Sequence, residues 1–229
     1  MEKKDVAQAL AYIRQHSPQK KFTQSIDLIV NLKGIDVKNS SHNVNTFSML
    51  HFTVGKKMKV CALVGHELES SAKEAMDGVV LADQFSEYKS KKEAKKLAAQ
   101  YDYFVAQANI MPQVASAFGP VLGPKGKMPN PKAGCVVPPN ANLSHAYESL
   151  QKTIRIANKQ SKSIKCIIGK EGQNEEEVID NVMTAYNTII HSLPNEVHNV
   201  KSVQLKLTMG PPLTIGRLPQ DRKGAEYHA

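Results

Sequence analysis

Two stretches of strict two-residue alternation lie near opposite ends of this chain, and neither has enough strand around it to close a sheet alone. In the first, Ile26, Leu28, Val30 and Leu32 alternate with Ser25, Asp27 and Asn31. In the second, Val203, Leu205, Leu207 and Met209 alternate with Ser202, Gln204, Lys206 and Thr208. A period of two sends one set of side chains to each face of a half-buried strand. The polar set is then left for solvent or a partner. Because an isolated strand cannot bury its apolar face, the two ends of the chain are expected to combine into one discontinuous domain.

Between them the texture changes. Residues 60–64 are a short apolar run, followed by Gly65 and a helical segment over 67–76. A strand over 79–82, a Lys-rich helix over 86–100, a strand over 103–106 and a helix from Met111 towards Phe118 continue the alternation, which argues for βαβ units and a mainly parallel sheet. Outside this block, Val6, Leu10 and Ile13 recur at helical spacing up to Pro18, a helix expected to cover a sheet. Residues 47–53 read as a second strand pairing with the first, 144–152 as a helix, and 153–157 and 164–168 as strands. A long helix opens on Asn174 with Glu175, Glu176 and Glu177 in its first turn, buries Val178, Val182, Ile189 and Leu193, and stops before Pro194. The expected layout is an α/β chain in which residues 1–56 and 153–215 form one domain and 57–152 a second domain inserted into it. Residues 216–229, with Arg217, Arg222 and Lys223, have too little apolar content to fold and are expected to form a flexible tail.

The 229 residues, 41% hydrophobic and 22% charged, suffice for two modest globular cores. Thirty Lys and Arg against 21 Asp and Glu leave a net charge of +9, which favours a polyanionic partner through phosphate neutralisation; nucleic acid comes first and an anionic membrane surface second. No apolar run approaches the roughly 18 residues of a membrane span, and the charged first residues carry no cleavage site, so a cytosolic protein is expected. Cys61, Cys135 and Cys166 form no CxxC pair and read as buried thiols rather than as zinc ligands or a disulfide framework. There is no GxxxxGK[ST] loop, no GxGxxG after a strand and no GxSxG elbow, and His66-Glu67 is not followed by the second histidine of a metalloprotease helix. A nucleotide-using enzyme would rest on Gly65 alone. In the run 89–96, Lys89, Lys91, Lys92, Lys95 and Lys96 face only Glu93; a solvated helix face is the default reading, with electrostatic help to tRNA or rRNA binding as the sharper one.

The most distinctive segment is 119–134, with glycine at 119, 123, 126 and 134 and proline at 120, 124, 129 and 131. Such density reads as neither helix nor strand but as a stiffened loop, with Lys125, Lys127 and Lys132 placed to meet phosphate. Its order, Gly-Pro-x-Leu-Gly-Pro-Lys-Gly-Lys-Met-Pro-x-Pro, resembles the signature of the ribosomal L-one family. Phe22-Thr23-Gln24-Ser25 before a strand, Pro139-Asn140-Ala141-Asn142, and Thr208-Met209-Gly210-Pro211 closing the last strand resemble its archaeal branch, in the same order. The similarity runs over about residues 5–215.

The resemblance implies a split β-α-β sheet in the discontinuous domain and a Rossmann-like three-layer α/β insertion. It also implies a non-enzymatic large-subunit protein, without cofactor or metal, that binds large-subunit rRNA to form a mobile stalk. Further implications are help in releasing deacylated tRNA from the exit site, repression of its own messenger, a monomer when free, and no membrane partner. The family's RNA-binding positions match Phe22, Ser25, Asp27, Ser202, Thr208, Met209 and Gly210 here, with Lys21 and Lys206 added as phosphate neutralisers and Lys125, Lys127 and Lys132 as secondary RNA or tRNA contacts. Gln24 stands where bacterial relatives carry an acidic residue. Ser and Thr hydroxyls both donate to and accept from a ribose 2′-hydroxyl, the group that distinguishes RNA. An assembly factor sharing the fold is the remaining alternative; such relatives carry long Lys-rich extensions.

Overall fold

The computed structural model describes residues 1–36, 39, 42–158 and 161–217. The chain divides into two units, Met1–Gly55 with Ile154–Ala229, and Lys56–Thr153. The expected tail, with Arg222 and Lys223, lies outside the described residues from position 218 onward.

In the first unit the alternating stretches become β1 (Ser25–Leu32) and β9 (Val200–Leu207), joined side by side with β8 (Ser163–Lys170) and β10 (Leu213–Thr214) in the order β10-β9-β1-β8. β1 is antiparallel to both β8 and β9. β8 and β9 therefore run the same way with β1 between them, and the helix that links them, α6 (Glu175–His191), completes a split β-α-β unit. One face of the sheet is closed by α6 and by α1 (Lys3–His16). Val6, Leu10 and Ile13 of α1 and Val178, Val182, Ala185 and Ile189 of α6 pack on Ile26, Leu28, Val30, Ile164, Leu205 and Leu207. Each such side chain contributes about 1.5–3 kcal/mol on burial, so this one apolar face supplies most of what holds the two chain ends together. The Asn174 side chain accepts from the Glu176 N–H, and the carboxylates of Glu175, Glu176 and Glu177 sit at the positive end of the α6 dipole.

Two expectations fail here. The strand β2 (Asn45–Met49) does not pair with β1; it joins β7 (Thr153–Ala157) in a separate two-stranded sheet, because both flanks of β1 are already taken by β8 and β9. The strand carrying Val203 is also not the last, and it stops at Leu207: Met209 lies in the turn beyond it, 56% exposed instead of on the buried face.

The second unit is a parallel sheet, order β4-β3-β5-β6, of β3 (Val60–Val64), β4 (Gly78–Leu81), β5 (Tyr103–Gln107) and β6 (Val136–Val137). The chain steps from β3 to β4 on one side and returns past β3 to β5 on the other. Right-handed crossovers then place α2 (Glu69–Ala75) on one face and α3 (Lys91–Gln100) and α4 (Met111–Lys125) on the other. α3 packs on α4, and α2 on α5 (Leu143–Gln151).

The segment 119–134 is not all loop. Its first part is the C-terminal half of α4, with Pro120 and Pro124 inside the helix. Val114, Phe118, Val121 and Leu122 are buried on one side, whereas Pro120 and Pro124, four residues apart, are both exposed. A proline removes one helix hydrogen bond and crowds the carbonyl four residues back; on the solvent side the freed carbonyls can be satisfied by water. The helix ends at Gly126, left-handed at φ 67°, where the Lys127 N–H reaches back to the Leu122 carbonyl at 3.0 Å.

Candidate nucleic-acid interface

The helices cover one face of the β10-β9-β1-β8 sheet, and the other carries the polar alternates: Ser25, Asp27 and Asn31 from β1, Ser202, Gln204 and Lys206 from β9, Lys165 from β8. Cross-strand pairing places Asp27 opposite Lys206 and Asn31 opposite Ser202. The Asn31 side-chain amide donates to Ser202 Oγ at 3.0 Å and to Gln204 Oε1 at 3.3 Å, tying the middle of the face into one polar row.

At the end of the face the two strands are clasped. The Ser25 N–H donates to Thr208 Oγ1 at 3.1 Å, the Thr208 hydroxyl lies 3.2 Å from the Ser25 carbonyl oxygen, and the Thr208 N–H donates to that same carbonyl at 3.0 Å. With its proton directed to Ser25, the Thr208 hydroxyl keeps one lone pair to accept from a donor outside the protein. Gln24 sets the next turn. Fully buried, it donates from Nε2 to the Pro18 carbonyl and accepts the Met209 N–H at Oε1, 3.1 Å away. Phe22 and Met209 both project outward, 53% and 56% exposed, flanking the clasp with apolar surface.

Gly210 packs closely on the end of α1: a Cβ there would sit 2.5 Å from Ser17 Oγ and 3.2 Å from Ser17 Cβ, so a larger residue would require the Ser17 side chain to turn away. Lys21 is exposed beside Phe22, and Lys206 is half-buried in the sheet face. Asp27 has a carboxyl raised above the ordinary value by burial, with Lys206 and then Lys165 pulling it back. With Ile29, Cys166 and Ile167 these three residues line a shallow groove of about 210 Å³.

Of the three lysines assigned as secondary contacts, Lys125 and Lys132 are exposed. Lys127 is turned inward: its ammonium donates to the Ala98 carbonyl at 3.0 Å and the Tyr101 carbonyl at 2.6 Å, capping the end of α3, and burial lowers its pKa. The point where the strand order of the second unit reverses, where doubly wound sheets bind ligands, is filled by a side chain. Buried Gln107 accepts the Gly65 N–H at 3.0 Å and donates to Glu67 Oε2 at 3.2 Å, so the amide a nucleotide phosphate would use is already taken.

Residues 13–211 match the family model described as the ribosomal protein L1p/L10e family. The chain belongs to the ribosomal protein L1 family. A relative named large ribosomal subunit protein uL1, from Methanothermococcus thermolithotrophicus, is 37% identical over 216 residues, 94% of this chain and 99% of that one. Proteins of the same name from Nanoarchaeum equitans, 39% identical over 86% of this chain and 93% of theirs, and Methanocaldococcus jannaschii, 30% identical over 97% and 100%, agree. These L1-family relatives are named as ribosomal proteins. The residue the sequence reading missed is Lys165, which reaches the face only because β8 pairs with β1; Gln24 stands in the sequence where bacterial relatives carry an acidic residue, but its burial beneath the turn is not legible there.

Proposed function

We propose that the chain is a component of the large ribosomal subunit, that its open sheet face binds large-subunit rRNA, and that it forms there a mobile stalk that assists release of deacylated tRNA from the exit site. The observation that supports this best is the Ser25–Thr208 clasp, which puts hydroxyls from two distant stretches of chain on one edge. The hydroxyls of Ser25, Ser202 and Thr208 engage ribose 2′-hydroxyls, while Phe22 offers a ring for an unstacked base and Met209 an apolar surface for sugar. Lys21 and Lys206 neutralise phosphates and add affinity without choosing a site. Asp27, between cations, accepts from a ribose or base donor. Gly210 lets the turn carrying Thr208 and Met209 present its backbone.

On this reading the protein is cytoplasmic, ribosome-bound and a monomer when free, and the same face takes an element of its own messenger that imitates the rRNA site. The chain passes between its two units twice, at 55–56 and 153–154, which suits a body fixed on rRNA carrying a second that follows tRNA. The test is co-sedimentation with large subunits stripped of the native protein. The parent chain is expected to pellet with them and restore exit-site tRNA release. A Phe22→Ala, Met209→Ala double variant is expected to stay in the supernatant, and its undiminished pelleting would count against the assigned face. Restraining both crossings with engineered disulfides should slow tRNA release without loss of rRNA binding.

A further inference from the structure

Helix α3 begins with Lys91 and Lys92, as α1 begins with Lys3 and Lys4, and carries Glu93 in its first turn; unlike α1, α2 and α6 it has no basic residue in its last turn. The exposed residues Lys91 and Lys95, and Lys92 and Lys96, are like-charged pairs four residues apart, the spacing at which side chains on a helix meet. Glu93 is the one carboxylate in the helix, and among the described residues no ion pair engages any of the four lysines. Repulsion within the row destabilises the free protein, and an external polyanion removes it.

We propose that the solvent face of α3 is a second RNA-binding surface, in which Lys91, Lys92, Lys95 and Lys96 hold a phosphodiester backbone. It is separate from the sheet face of the first unit and does not depend on that reading. Lysine heads act as point charges and read no sequence, so this surface adds affinity and leaves site choice elsewhere. Two other partners fit less well. The apolar residues of α3, Ala94, Leu97 and Ala98, are all buried, so it offers nothing to insert into a lipid surface and no apolar anchor for a protein interface. Glu87 and Glu93 line a groove of about 620 Å³ with Tyr88, Lys96, Leu97 and Gln100, and Lys91, Lys92 and Lys95 do not border it.

The test titrates the full chain with a mixed-sequence RNA duplex between about 50 and 200 mM salt. The variant combines Lys91→Gln, Lys92→Gln, Lys95→Gln and Lys96→Gln, and its thermal midpoint should equal or exceed the parent's because the internal repulsion is gone. The expected result is a fall of about 3 in the slope of log affinity against log salt, with the slope kept by the corresponding four-arginine variant. A Lys92→Gln, Lys95→Gln variant should lose about half as much, and serves if the larger one misfolds. Thr208→Ala, which addresses the sheet face, should leave this lysine-dependent fall in slope in place. An unchanged slope in both glutamine variants overturns the proposal. So does a loss confined to phosphatidylglycerol vesicles or polyglutamate with RNA binding intact.

Discussion

Thr208 and Ser25, 183 positions apart in sequence, share one backbone hydrogen bond and two through the threonine hydroxyl. The site is exposed, so water replaces the hydroxyl when it is removed. Thr208→Val is therefore expected to cost less than about 1 kcal/mol in chemical denaturation. A larger loss would mean that the clasp serves the fold more than the surface.

Asn181 presents the opposite case. Fully buried on α6, it accepts the Phe52 N–H and donates to the carbonyls of Phe52 and Ile168, holding the loop after β2 against the sheet. Asn181→Ala strands the buried Ile168 carbonyl and removes the partner of two part-buried Phe52 backbone groups, and is expected to destabilise the protein by on the order of 1–3 kcal/mol, read from urea midpoints.

Lys127 and its neighbours should separate by experiment. Lys127→Met removes the cap from the α3 carbonyls and is expected to lower thermal stability while leaving RNA affinity unchanged. Lys125→Gln with Lys132→Gln should do the reverse, weakening RNA binding at low salt without shifting the midpoint.

A pH dependence follows from His66, whose Nε2 lies 2.6 Å from Asp83 and whose Nδ1 lies 3.5 Å from Glu69. The bond to Asp83, then that to Glu69, raises the His66 pKa; Lys73 first and His66 second lower that of Glu69. The histidine contribution is complete below about pH 6.5 and is lost as pH rises through the raised value. The glutamate contribution is present above about pH 4.5 and is lost as pH falls through the lowered value. This cluster should thus favour folding most between those limits. His66→Gln is expected to flatten the alkaline side of a urea-midpoint profile, and an unaltered profile would show that the cluster contributes nothing.

What the sequence made legible was local. Alternation along 25–32 and 200–207 identified β1, β9 and their polar faces, because a period of two depends only on neighbours a residue or two away. The partner of β2 was not legible: pairing is settled by which edges stay free after β8 and β9 have flanked β1. Pro120 and Pro124 misled because their cost depends on the side of the helix they occupy, which only packing decides. Gln24, Lys127 and Gly210 look like surface residues in the one-dimensional string, yet each is fixed by a group remote in sequence: the Met209 amide, the α3 carbonyls and Ser17.

The most direct measurement is a binding titration of the stalk rRNA fragment against the parent chain, Ser202→Ala and Thr208→Ala across a salt series. If the open sheet face reads ribose hydroxyls, each variant should lose on the order of 1–3 kcal/mol of affinity with the salt slope unchanged, because no charge has been removed. Losses below about 0.5 kcal/mol at both positions, under the same conditions, would contradict the account.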